Sequence, residues 1–106
     1  MVSVKLIIMS PYSKDVKQTI SRLKPVLTDK YHVCSIGLFG SVVRDDFSPE
    51  TSDVDVIVDF TQPVGIEFVD IACLLEQELD RKVDLVSRNG IKDKYFTEIQ
   101  NEIMYV

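Results

Sequence analysis

The sequence predicts an α+β fold, a small sheet of about three strands packed with helices in two layers. Two observations predict it. The runs "VCSIGLFG" (Val33 to Gly40), "DVDVIVDF" (Asp53 to Phe60) and "KVDLVS" (Lys82 to Ser87) are short, apolar and rich in β-branched residues, which marks strands. Around them, apolar residues recur at helical spacing.

In chain order, the opening "VSVKLII" is either an extra strand or loose, and its periodicity does not decide. Val16, Ile20, Leu23 and Leu27 then form one face of a helix, with Ser13 placed to cap it. Pro25 falls inside that pattern, so the helix kinks there or restarts with Pro25 in a first turn. "SPETS" is the turn before the second strand. From Ile66 to Leu79, the residues Phe68, Ile71, Ala72, Leu75 and Leu79 make a helical stripe. "RNG" closes the third strand, and Phe96, Ile99 and Ile103 mark a final amphipathic helix. With no repeat, low-complexity tract or linker-like shift, the 106 residues read as a single domain over 1–106, residues 1–12 being an N-terminal extension.

Composition narrows the function. A chain with 45% apolar and 27% charged residues is globular rather than disordered. A net charge of −5 argues against broad nucleic-acid binding but leaves room for a local basic pocket. No apolar run approaches the roughly 20 residues that span a bilayer. "VSVKLIIM" lacks the length and the cleavage site of a signal peptide. Cys34 and Cys73, far apart in apolar contexts, read as small core residues of a cytoplasmic protein rather than as a disulfide. His32 is the single histidine, and nothing of ligand spacing accompanies it, which disfavours zinc.

The chemistry concentrates in "LFGSVVRDDFSPETSDVDVIVDF" (Leu38 to Phe60). Residues two apart in a strand share a face, so Asp53 and Asp55 lie together, opposite Val54 and Val56. An exposed strand would account for a lone Asp-Val-Asp. Here Ile57 falls in the same phase, and Asp84, between Val83 and Leu85, can stand beside the pair on a neighbouring strand. Three converging carboxylates suit a hard divalent cation, which relieves their mutual repulsion. Gly40 lets a ligand approach the backbone where a strand ends. A helical turn starting at Ser41 would offer N–H groups and a hydroxyl to phosphate oxygens, though a plain Gly-Ser turn is the simpler reading of that pair alone. Arg44, one turn on, could meet phosphate or pair with an acid. Asp45 and Asp46 read as solvated turn residues, and Asp59 lies towards the far end of the strand.

These residues resemble the signature of the polymerase-beta-like nucleotidyltransferases, a Gly-Ser, a spacer and Asp-x-Asp. "YHVCSIGLFGS" is similar to the first strand of the minimal nucleotidyltransferases, and "KVDLVSRNGIKDKYFTEIQNEIMYV" to their closing segment. The likeness covers roughly residues 13 to 106. The spacer is one residue longer than is usual there, and Asp45 stands where the family commonly has glycine. The resemblance implies a two-layer nucleotidyltransferase fold with a small mixed sheet of three or more strands. It also implies an antitoxin of the minimal-nucleotidyltransferase and HEPN pairs, which transfers AMP from ATP to a tyrosine of a HEPN ribonuclease toxin. Gly40, Ser41 and Arg44 would hold the nucleotide. Asp53, Asp55 and Asp84 would bind two Mg²⁺ ions and carry catalysis, Asp84 acting as or orienting the base. A homo-oligomer is compatible with this reading; membrane or stable nucleic-acid binding is not expected. The rival readings are an antitoxin that works by contact alone and an adenylyltransferase for a small molecule of the aminoglycoside type.

Overall fold

A computed structural model of the chain describes residues 11–44 and 46–106. The opening "VSVKLII" and Asp45 therefore lie outside the described residues. Helix α1 is described over Pro11–Tyr31. Ser13 is consequently inside the helix and buried, not at its cap. Pro25 neither ends nor restarts α1: it sits on the exposed side, where water can satisfy the carbonyl its ring leaves without a donor.

The remaining elements are β1 (Val33–Phe39), a one-turn 3-10 helix (Gly40–Val43), β2 (Val54–Phe60), α2 (Glu67–Leu79), β3 (Val83–Ser87), α3 (Asp93–Ile99) and β4 (Met104–Tyr105). The sheet runs β3-β2-β1-β4. β1 pairs antiparallel with both β2 and β4, whereas β2 and β3 are parallel, joined by the α2 crossover, so the sheet is mixed. The fourth strand comes from the chain's tail. The predicted last helix is shorter than its stripe implied: it ends at Ile99, and Ile103 lies in the turn segment beyond it.

α1 and α2 cover one face of the sheet. Val16, Ile20, Leu23 and Leu27 meet Ile36 and Leu38 of β1, Val54, Val56 and Val58 of β2, and Ile71 and Leu75 of α2. Each such side chain contributes about 1.5–3 kcal/mol on burial, so this layer holds the fold. On the opposite face a smaller cluster of Phe39, Ile57 and Ile99 packs with Phe96 and Ile103. This explains the apolar phase of Ile57, which packs on that face with Ile99 of α3 and with Phe39, the register partner of Asp55.

Both cysteines are free and exposed, contrary to the expectation of core positions. Cys34 lies where the β1–β2 register is irregular, between Val33 and Ser35, which turns it out of the core phase. On α2 the inward positions go to Ile71 and Leu75, which leaves Cys73 on the solvent side.

Candidate functional site

β2 begins at Val54, and its alternation sends Val54 and Val56 into the helical layer and Asp55 to the other face. Asp53 immediately precedes the strand and is exposed. In the parallel ladder Asp55 stands directly opposite Asp84, and register neighbours project from the same face. The sheet therefore brings Asp53, Asp55 and Asp84 together at one end. Burial first, then the charges of Asp84 and Asp53, together raise the Asp55 carboxyl to about 6, against a lowering pull from Arg44. Among the described residues, none of the three carboxylates accepts a hydrogen bond or forms an ion pair.

On β1, Phe39 pairs with Asp55, and the next residue is Gly40. Gly40 adopts φ +75, a region that side chains disfavour, and a Cβ there would land on the Asp55 carboxylate. Only glycine satisfies both the turn and the close approach. The 3-10 turn that follows carries Ser41, half-buried, whose hydroxyl meets no hydrogen-bond partner among the described residues. Arg44 closes the turn with its N–H donating to the Ser41 carbonyl at 3.1 Å.

Arg44 pairs with acids, one of the two roles open to it. Its Nη1 donates to Glu102 Oε2 at 2.9 Å and Oε1 at 3.3 Å, and its Nε donates to Asp46 Oδ1 at 3.4 Å. Burial would lower the Arg44 pKa, but Glu102 and then Asp46 outweigh it and hold the guanidinium above its ordinary value. Glu102 also accepts the Gly40 N–H at 3.0 Å. Sequence reasoning missed Glu102: it lies in the turn after α3, and its partner Gly40 is 62 residues away, so no local pattern signals it. Asp59 accepts the N–H of Phe60 and takes no part in this group.

The donors fit a hard cation in kind, being carboxylate oxygens without partners. Among the described residues no group of three such side chains is drawn together closely enough to cage a metal ion. Mg²⁺ is usually held by one or two carboxylates, with substrate phosphates and water completing its shell. A separate cavity of about 580 Å³ opens at the other ends of β2 and β3, bounded by Phe60, Pro63, Phe68 and Ser87. Its lining holds no charged residue, so the acid chemistry lies elsewhere.

The nucleotidyltransferase domain family matches residues 20–105. The chain belongs to that family. It is 33% identical over 94 residues to the protein adenylyltransferase MntA of Thermococcus cleftensis, spanning 88% of this chain and 94% of that protein. A structure assigned as a minimal nucleotidyltransferase superposes with a TM-score of 0.68 at 25% identity, covering 84% of this chain and 93% of the other. A complex of tri-AMPylated HEPN toxin from Shewanella oneidensis with MNT antitoxin matches with a TM-score of 0.62 at 22% identity, over 85% and 70% of the two chains, a likeness of fold. The α+β sheet is thus that of a minimal nucleotidyltransferase. The matched span of this nucleotidyltransferase includes every side chain of the group from Gly40 to Glu102.

Proposed function

We propose that this chain is a Mg²⁺-dependent protein adenylyltransferase that transfers AMP from ATP to a tyrosine of a HEPN ribonuclease toxin and so acts as its antitoxin. One observation carries the site: Asp55 and Asp84 stand opposite each other without a donor, and Gly40 presses its bare backbone against the same carboxylate. The family match and the MntA relative support the chemistry and the partner class. The chain acts as one nucleotidyltransferase domain in the cytoplasm. Among the described residues no helix is long and apolar enough to cross a membrane.

Asp53, Asp55 and Asp84 would hold two Mg²⁺ ions. When bound, the metal neutralises phosphate charge and lowers the pKa of the incoming hydroxyl. Gly40 and Ser41 would bind the triphosphate through backbone N–H and hydroxyl, and Arg44 would add a guanidinium to its oxygens. Asp84, exposed at the start of β3, would accept or direct the proton of the tyrosine hydroxyl. The tyrosine oxygen attacks the α-phosphorus, the bond from that phosphorus to the bridging oxygen breaks, and pyrophosphate leaves. The protein's part is positioning and charge.

The test is to incubate the purified chain with ATP, Mg²⁺ and a candidate HEPN-type partner protein, and to weigh that partner. Partner mass rising by whole AMP units, at a tyrosine, supports the reading. A partner that is neutralised yet gains no mass would show an antitoxin that works by contact.

A further inference from the structure

The Gly40 N–H and the Arg44 guanidinium form a small anion cradle, and a side chain of the protein already fills it. Glu102 places Oε1 3.0 Å from the Gly40 nitrogen and Oε2 2.9 Å from Arg44 Nη1. Two donors from the Gly-Ser turn thus converge on one carboxylate, as they would on a phosphate group. The carboxylate belongs to a different part of the chain, the turn following α3, where the Glu102 N–H is tied to the Ile99 carbonyl at 2.9 Å. Its side chain is 29% exposed, so water and ligands reach it. The placement also sets a fourth negative charge close enough to Asp55 to add to its load. A triphosphate arriving at Gly40 and Arg44 meets both occupied donors and an added like charge.

We propose that Glu102 is a built-in competitor of the nucleotide: its carboxylate occupies the phosphate cradle of Gly40 and Arg44, and ATP binds by displacing it. This rests on reading Gly40 and Arg44 as triphosphate contacts. Glu102 then sets ATP affinity without touching the reacting atoms. The contact is a partly exposed ion pair, worth up to about 1 kcal/mol, so its removal tightens binding by up to about fivefold.

Calorimetry of the full chain with Mg²⁺ and ATP tests it, using parent, Glu102→Gln and Glu102→Asp. Glu102→Gln keeps an acceptor for the Gly40 N–H but lacks the charge that holds Arg44. It is expected to bind ATP more tightly, by up to about fivefold. Inorganic triphosphate should gain equally, and adenosine, which lacks phosphate, should not change. Glu102→Asp, one methylene shorter, should gain less. Adding Arg44→Ala to Glu102→Gln should erase the gain, since the freed guanidinium is its source. Thermal melting checks that each variant is folded, and Glu102→Asp carries the test if Glu102→Gln is not. A folded Glu102 variant that binds ATP no better than the parent, or more weakly, overturns the proposal and makes Glu102 a support for Arg44. If the parent and every variant fail to bind both ATP and inorganic triphosphate, the nucleotide site itself is misplaced and the proposal falls with it.

Discussion

Replacing Asp55 by Asn should make the metal-free protein more stable while removing its capacity for metal. Asp55 is partly buried, faces Asp84 and Asp53, and has no hydrogen-bond or ion-pair partner among the described residues. Its carboxyl is raised from 3.8 to about 6, so its ionisation opposes folding. Each pKa unit corresponds to about 1.4 kcal/mol, which sets an upper figure of about 3 kcal/mol at neutral pH. Solvent screens a partly exposed carboxylate, and about 1–2 kcal/mol is the realistic penalty. The sign fixes the pH window. The unfolded chain loses this proton near 3.8 and the folded chain only near 6. The stability tied to the protonated group is full below 3.8 and is lost as pH rises to about 6. Asn does not titrate. The variant should therefore melt about 5–10 °C above the parent at neutral pH in chelator, and the gap should nearly close at a pH below 3.8. Other acids titrate in both proteins and cancel in the comparison. Adding Mg²⁺ and ATP should raise the melting point of the parent alone. A parent as stable as Asp55→Asn at neutral pH, or a gap that persists in acid, would refute the argument.

Three further outcomes are expected. Gly40→Ala should lose about 1–2 kcal/mol in urea denaturation from its left-handed backbone alone, and nucleotide binding should fall further because the new methyl displaces Asp55. Asp84→Asn should slow AMP transfer by roughly 10²–10⁴ while partner binding, measured by pull-down of the HEPN-type protein, persists. Deleting residues 104–106 should lower the melting temperature, because β4 pairs with β1, the Val106 N–H donates to the Ile36 carbonyl at 2.9 Å and Lys24 Nζ reaches the Val106 carbonyl at 2.8 Å.

Most of the frame was legible in the sequence because burial is local in pattern. The α1 stripe of Val16, Ile20, Leu23 and Leu27 and the alternation of Val54, Val56 and Val58 both report a buried face directly. Asp53 and Asp55 were grouped by strand alternation, although β2 begins at Val54 and Asp53 stands just ahead of it, and Asp84 needed only the inference that its strand is a neighbour. What stayed hidden depends on contacts distant in sequence. β4 is two residues long and exists because Gly37 lets Ile103 and Tyr105 close over β1. The exposure of Cys34 follows from a register irregularity that composition does not encode. Glu102 reads as an ordinary surface acid until the fold brings it to Gly40.

The joining of Asp84 to the pair depends on a parallel register that the core itself enforces. Val83 and Leu85 flank Asp84 and pack against the helical layer. A slip of one residue along β2 would turn both outward and drive the Asp84 charge into that apolar layer, which costs several kcal/mol. Hydrogen bonds lock the same alignment at each end: the Val54 N–H donates to the Lys82 carbonyl at 2.9 Å and the Arg88 N–H to the Val58 carbonyl at 2.8 Å. From α2, Glu76 Oε2 accepts the Val83 N–H at 3.0 Å, just after Asp80 has turned the chain out of the helix at φ 52. The repulsion between Asp55 and Asp84 is thus opposed by apolar burial on the other face of the same two strands. The fold can carry a destabilising carboxylate group because separating it would require undoing its own core.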